Sequence, residues 1–221
     1  MDRYPFIVVE GLDGTGKTTL RKGLFRLFEG LFQVTPLALL TSNFLDPGRA
    51  LDLVEGKYQP SPDNQDRYLA ALAADKKATA DRLITPSLSV RPVIADRWLL
   101  SELAFFAVKH DCAPKETYAR LTVQLGVVPD LMLVLDVTPA AAMERAADRS
   151  GDATRPDWDV LEIQAKVREV YQWVTDAPAA LPALGPVVRI NAARDRAAVL
   201  HTVWQALDQY GLLPDFEGAA P

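Results

Sequence analysis

Cysteine is almost missing from this chain of 221 residues: Cys112 stands alone. No disulfide can form within the chain, which suits a reducing cytoplasm, and Cys112 itself reads as a buried, inert thiol. Histidine is scarce too. His110 and His201 fall in no metal-ligand spacing and read as structural. No apolar run approaches the length of a membrane span. The run Phe6–Val9 is too short for a secretory signal and leads straight into a glycine loop. A basic excess is also lacking: 24 Lys and Arg face 29 Asp and Glu, a formal net charge of −5. Wholesale nucleic-acid binding through a basic surface needs clustered excess Lys and Arg, so that class is disfavoured. There is no internal repeat and no linker. The expectation is one soluble, cytoplasmic domain over residues 1–210, followed by a loose tail over 211–221.

What is present is apolar punctuation at α/β spacing. At 49% apolar the chain can build a sizeable core. Phe6–Val9, Val93–Asp96, Leu131–Leu135 and Val187–Ile190 are short β-branched or leucine-rich runs that read as buried strands. Val34–Leu40 is a weaker strand candidate because it holds Pro36. Helices are expected from Lys17 to about Phe28, Asp63 to about Ile84, Leu99 to about His110, after Pro114, and from Pro139 to about Arg149. Two more follow, around Val160–Val174 and Val199–Leu207. Thr41–Gly48 and Ser150–Trp158 read as polar Pro/Gly loops. Strands without a polar face, alternating with helices, predict a parallel sheet covered on both sides, a three-layer α/β/α domain.

Between the first strand and the first helix lies Gly11-Leu12-Asp13-Gly14-Thr15-Gly16-Lys17-Thr18, which satisfies G-x-x-x-x-G-K-[ST]. Its glycines let the backbone turn tightly and point successive N–H groups at phosphate oxygens. Lys17 reaches the β- and γ-phosphates, and Thr18 offers a hydroxyl to Mg²⁺. The donor-nucleotide residues are therefore Gly11 through Thr19, Thr15 among them, with ATP and Mg²⁺ as the implied partners. No Asn-Lys-x-Asp segment for reading guanine is present, which disfavours a GTPase.

Asp96-Arg97 closes a strand at the sheet edge where ligands bind in open parallel sheets. Asp96 is a candidate for holding Mg²⁺ through water, and Arg97 for clamping an acceptor phosphate. Arg145 and Arg149 share a helix face and lead into a loop carrying Arg155. An arginine-bearing segment over about 145–158 suits a lid that covers the transferring phosphate. Asp13, inside the loop, can face an acceptor.

With these residues assembled, the chain resembles the thymidylate kinases, P-loop nucleoside monophosphate kinases. Phe6–Thr19, reading FIVVEGLDGTGKTT, is similar to that family's E-G-x-D-G-x-G-K-[ST]-T opening. Asp96-Arg97-Trp98 stands where the family has Asp-Arg and an aromatic, and Ser101–Phe105 is similar to its S-x-x-A-[YF] stretch. Pro129–Val137 looks like its strand before the lid, and Arg168 with Tyr171 matches a late R-x-x-Y pair. The resemblance implies a five-stranded parallel sheet, ATP with Mg²⁺ as donor, dTMP as acceptor, and in many members a homodimer. It implies that Asp13 faces the acceptor sugar or phosphate, that Arg97 binds the acceptor phosphate, and that Phe105 lies at the acceptor. With Gly14 in the loop, the catalytic arginine comes from the lid: Arg149 first, then Arg145 and Arg155.

Four departures fall on the acceptor side. Leu45 stands where the family has a phosphate-binding Arg, with Arg49 nearby as a substitute. Leu72 stands for a base-stacking Phe, with Tyr68 one turn earlier as an aromatic face. Lys76 stands for a base-reading Arg and lacks its planar fork. Phe106 replaces a frequent Gln. The alternatives are a kinase of another or modified nucleoside monophosphate, a deoxynucleoside kinase, and a non-catalytic nucleotide-binding regulator. Arg97 argues against the second, and Lys17, Thr18, Asp96 and the lid arginines against the third.

Overall fold

Every residue of the first strand, β1 (Phe6–Gly11), is buried. Side chains alternate across a strand, so both faces of β1 must be covered by other elements. Phe6 and Val8 join one core, with Val93, Ala95, Met132 and Val134. Ile7 and Val9 join another, with Ile94, Leu131, Leu133 and Ile190. The computed structural model describes residues 3–41, 44–59, 61–150 and 158–214; of 62, 63, 149 and 150 it describes the backbone alone.

The sheet contains β2 (Leu37–Leu40), β3 (Val93–Asp96), β4 (Leu131–Asp136) and β5 (Val187–Asn191) as well. All pairs are parallel and the order is β2-β3-β1-β4-β5. One face carries α1 (Lys17–Phe32) and α9 (Arg196–Gln209), through Leu20, Leu24, Phe28, Val203 and Leu207. The other carries α3 (Pro62–Thr79), α5 (Leu99–Lys109), α6 (Pro114–Thr122) and α8 (Leu161–Asp176), through Leu69, Leu103, Leu121 and Val174. These are the three layers and five strands expected. The two edge strands, β2 and β5, are only partly buried. Pro36 ends just before β2, which begins at Leu37 and not at Val34.

Three local departures have physical reasons. A helix, α2 (Pro47–Val54), forms where a loop was expected at its start: Asp46 accepts from Arg49 N at 2.9 Å and Pro47 sits at the first turn. The Asp-Pro-Gly that reads as a turn is here a cap. The long helix runs past Ile84. A π-turn (Ala80–Ile84) pairs Thr85 N with Ala80 O and leads into α4 (Thr85–Ser87), so Pro86, with no N–H to give, follows a widened turn. Beyond α9, Leu212 is buried against the α1/α9 core, within the expected tail; positions 215–221 lie outside the described residues.

The register fixes the functional edge. Val9 pairs with Asp96, where β3 stops, and Gly11 with Leu135, so β1 and β4 run on about two residues past β3 at the same sheet edge. Order reverses at β1, with β3 on one side and β4 on the other, which opens a crevice at that edge. Over it lies α7 (Pro139–Ser150). Gly14, at φ 87°, touches this helix so closely that an added Cβ would stand 1.8 Å from Ala142 O. We therefore expect Gly14→Ala to lose at least about 2 kcal/mol of stability, seen as a fall of about 4–8 °C in Tm. A Tm unchanged by the substitution would contradict this packing.

Candidate active site

The loop after β1 is built around left-handed glycines, with φ 142° at Gly11, 87° at Gly14 and 97° at Gly16. Gly16 is also the N-cap of α1 and supplies no capping side chain, so the first amides of α1 are presented to the loop. Lys17 folds back over it: Nζ donates to Gly11 O at 3.0 Å and Leu12 O at 2.7 Å, and lies 3.4 Å from Asp13 Oδ1. Burial, with Arg97 nearby, pushes the Lys17 ammonium down to about 8 against the pull of Asp13, Asp96 and Glu10. Thr15 Oγ1 donates to Leu12 O at 2.8 Å and stiffens the turn. Thr18 and Thr19 are exposed at the start of α1. Asp96, at the end of β3, lies 3.4 Å from Arg21 Nε. Gly14, Gly16, Lys17, Thr18 and Asp96 line a cavity of about 160 Å³, together with Asp13 and Arg97.

Arg97 links this cavity to a larger one. Its φ is 72°, a left-handed conformation that costs a non-glycine residue about 1–3 kcal/mol. The turn sends the side chain back toward the loop. Nη1 donates to Gly11 O (3.2 Å), Ser101 Oγ (2.9 Å) and Tyr171 OH (3.3 Å), and Nη2 pairs with Asp13 Oδ1. The larger cavity, about 480 Å³, shares Asp13 and Arg97 with the smaller. Its size is that of a small-ligand site.

One face of α5 lines this second cavity. Ser101, Phe105 and Lys109 follow Arg97 at steps of four, about 6 Å apart along the helix, with Glu102 beside them. Opposite stand Gln164, Val167 and Tyr171 of α8, again at helical spacing. The end away from the loop is aromatic. Tyr68 stacks on Tyr58 with centroids 4.9 Å apart and meets Phe105 edge-on at 5.7 Å; Phe105 lies 5.8 Å from Trp158. Gln164 Nε2 donates to Trp158 O at 2.9 Å and steadies that wall. A cationic and anionic pair at the phosphate loop, grading into an aromatic pocket, fits a phosphorylated heterocycle.

Comparison with known proteins agrees with this geometry. The family model described as thymidylate kinase matches residues 9–180. The chain belongs to the thymidylate kinase family. Among curated relatives, a probable thymidylate kinase of Staphylothermus marinus is 32% identical, the match covering 86% of this chain and 87% of that protein. A probable thymidylate kinase of Thermococcus kodakarensis is 31% identical over 75% of this chain and 82% of its own length. A thymidylate kinase of Clostridium novyi is 27% identical over 77% and 84%.

Within this thymidylate kinase fold, the residues singled out from sequence divide in three. Gly11, Leu12, Asp13, Gly14, Thr15, Gly16, Lys17, Thr18, Asp96 and Arg97 come together around the loop, and Tyr68 and Phe105 line the larger cavity. A second group stands back from it. Leu72 is buried in the core. Lys76 is 1% exposed, 2.9 Å from Glu102 Oε1, bonded to Thr41 O at 3.0 Å and set 5.2 Å over the Trp98 ring. Arg49 reaches back to Ala71 O at 3.4 Å, and Arg145 donates to Ala192 O at 2.9 Å. Leu45 N donates to Asp75 Oδ1 at 2.7 Å. The third group, the Arg149 side chain and Arg155, lies outside the described residues.

Of the wall residues, Ser101, Glu102 and Tyr171 lie in stretches that carry the family resemblance, whereas Trp158, Lys109, Gln164 and Val167 were not singled out from sequence. Trp158 reads as packing, yet it lines the cavity. Ser101, Glu102 and Lys109 were legible as a ladder continuing from Arg97, and Gln164, Val167 and Tyr171 as a helical i, i+3, i+7 set. The R-x-x-Y pair splits its duties: Tyr171 enters the site, while Arg168 makes a bidentate pair with Asp136 at 2.7 and 3.1 Å and ties α8 to the end of β4.

The depressed Lys17 gives a titration with a definite sign. Phosphates placed against its ammonium raise the pKa again, so nucleotide binding between the free and bound values takes up a proton. ATP affinity should fall as pH rises through about 8. Calorimetry at about pH 8.5, in buffers of different ionisation heat, should show uptake of up to about one proton per ATP; no uptake would contradict the seat described for Lys17.

Proposed function

We propose that this chain transfers the γ-phosphate of ATP to dTMP, giving dTDP and ADP. The observation that carries the reading is that Asp13 and Arg97 line both cavities. A donor phosphate on the loop and an acceptor phosphate in the larger cavity then meet at one guanidinium. An oxygen of the dTMP phosphate attacks the γ-phosphorus in line, the bond to the β–γ bridging oxygen breaks, and ADP leaves. The protein contributes position and charge. Lys17 and the loop amides neutralise the donor phosphates, and Arg97 with Ser101 holds the acceptor phosphate. Asp13 faces the acceptor and orients Arg97. Arg149 is our candidate for the lid arginine, ahead of Arg155 and Arg145, since Gly14 leaves none in the loop.

The donor set around the loop fits Mg²⁺ carried on ATP. Thr18 and Asp96 offer oxygen ligands beside Lys17, and among the described residues no cluster of three metal-ligating side chains competes with them. When bound, the ion supplies charge neutralisation between β- and γ-phosphates. A cytoplasmic setting and a homodimer belong to the same reading; among the described residues no helix is long and apolar enough to cross a membrane.

The acceptor end supports a pyrimidine. Tyr68, Phe105 and Trp158 offer apolar faces to a ring. Lys76 gives its charge to Glu102, so the group at the wall is a carboxylate, which only accepts hydrogen bonds. Thymine presents an N3–H donor; cytosine presents a lone pair there. Glu102→Gln, whose amide can donate, should narrow the kcat/KM ratio of dTMP to dCMP by about tenfold; an unchanged ratio would remove Glu102 from base reading.

The whole reading is tested by incubating the common nucleosides and their monophosphates with Mg-ATP and measuring ADP release. dTMP should turn over best. ATP binding without turnover of any acceptor would overturn the kinase assignment. Lys17→Ala should cost at least about a thousandfold in kcat/KM.

A further inference from the structure

We propose that Glu10 is a positioning residue of this site, the buried carboxylate that aims Arg97 at the acceptor phosphate; the proposal rests on the kinase reading above. Glu10 is the last residue of β1 before the glycine loop, and it is 0% exposed. It lines neither cavity. It can therefore neither touch substrate nor act as a base on it, and a carboxylate so placed must be held by something else.

Its partners are the start of α5 and the surroundings of Arg97. Oε1 accepts from Trp98 N at 2.7 Å and Ser101 N at 3.2 Å. These are N-terminal amides of α5, whose own N-cap position, Trp98, makes no side-chain cap. Glu10 thus caps a helix from a neighbouring strand, and its charge complements the helix dipole. Oε2 accepts from Ser101 Oγ and lies 3.5 Å from Tyr171 OH. Both hydroxyls in turn receive Arg97 Nη1.

The backbone repeats the grip. Val9 O accepts from Arg97 N at 2.9 Å, and Glu10 accepts from the next amide, that of Trp98. Two consecutive residues of β1 therefore hold the peptide groups on either side of the left-handed Arg97. Side chain and main chain both tie Arg97 to Glu10 without direct contact between the two residues' charged groups. Removing that carboxylate frees the turn to relax, and the guanidinium leaves the point where the two cavities meet.

The test uses the full chain and steady-state kinetics with ATP and dTMP. Glu10→Gln keeps the shape but exchanges an oxygen for an amide. It should raise the dTMP KM about tenfold and lower kcat about tenfold, because misplacing a phosphate clamp acts on orientation. The ATP KM should stay within about twofold, since the loop amides and Lys17 hold the donor. Tyr171→Phe, which removes one hydroxyl and leaves no buried charge unpaired, should move the dTMP KM in the same direction by about threefold. If Glu10→Gln fails to fold, Glu10→Asp decides the matter: it keeps the charge but shortens the reach to Trp98 N and Ser101 N, and should raise the dTMP KM while leaving the ATP KM unmoved. Equal changes in the ATP and dTMP constants, or a drop in Tm with both constants unmoved, would reduce Glu10 to a structural cap and overturn the proposal. A parent chain that binds ATP but is inert on dTMP overturns the kinase reading and this inference with it; a parent chain active on dTMP with unaltered variants overturns this inference alone.

Discussion

A left-handed arginine is expensive, and the edge of this sheet is arranged so that Arg97 stays one. β1 runs two residues past the end of β3, which brings Val9 and Glu10 against the turn that follows Asp96. The end of β1 also starts the glycine loop. One strand terminus therefore fixes the glycine loop and, through Arg97, the near end of the larger cavity. That shared origin is why Asp13 and Arg97 can stand between two cavities with little freedom in their spacing.

The helices act on this edge in different ways. α7 presses Ala142 against Gly14, so the loop has a roof that tolerates no side chain. α5 grades the larger cavity from charge at Arg97 to aromatic surface at Phe105. α8 closes it with Tyr171 and Val167 while Arg168 anchors the helix to β4. On the opposite face, α1 and α9 bury apolar side chains and contribute packing; only the first turn of α1, with Lys17 and Thr18, lines the smaller cavity.

The parts legible in the sequence were the local ones. The glycine loop is a contiguous pattern with a fixed geometry, so Gly11 through Thr18 could be assigned without a fold. The strands were legible because burial on both faces leaves uninterrupted apolar runs such as Leu131–Leu135. Helix α2 was missed because Asp46-Pro47 caps a helix and opens a turn with the same residues. The wall of the larger cavity was legible only in part, because it is made by pairing across elements. Lys76 read as a group facing the ligand, but Glu102 on α5 and the ring of Trp98 take up its charge. The role of Glu10 had no signal in the sequence, since its partners at the start of α5 stand 88 and 91 positions away along the chain. Membership of the thymidylate kinase family was legible from motif order alone, and the family match over residues 9–180 agrees with it.

The central claim is that one molecule can span both cavities past Arg97. An inhibitor with adenosine and thymidine joined 5′ to 5′ through a polyphosphate chain tests it most directly. The account predicts competitive inhibition against ATP and against dTMP alike, weakened at both sites by Arg97→Ala. Competition with ATP alone, indifferent to dTMP concentration, would contradict it.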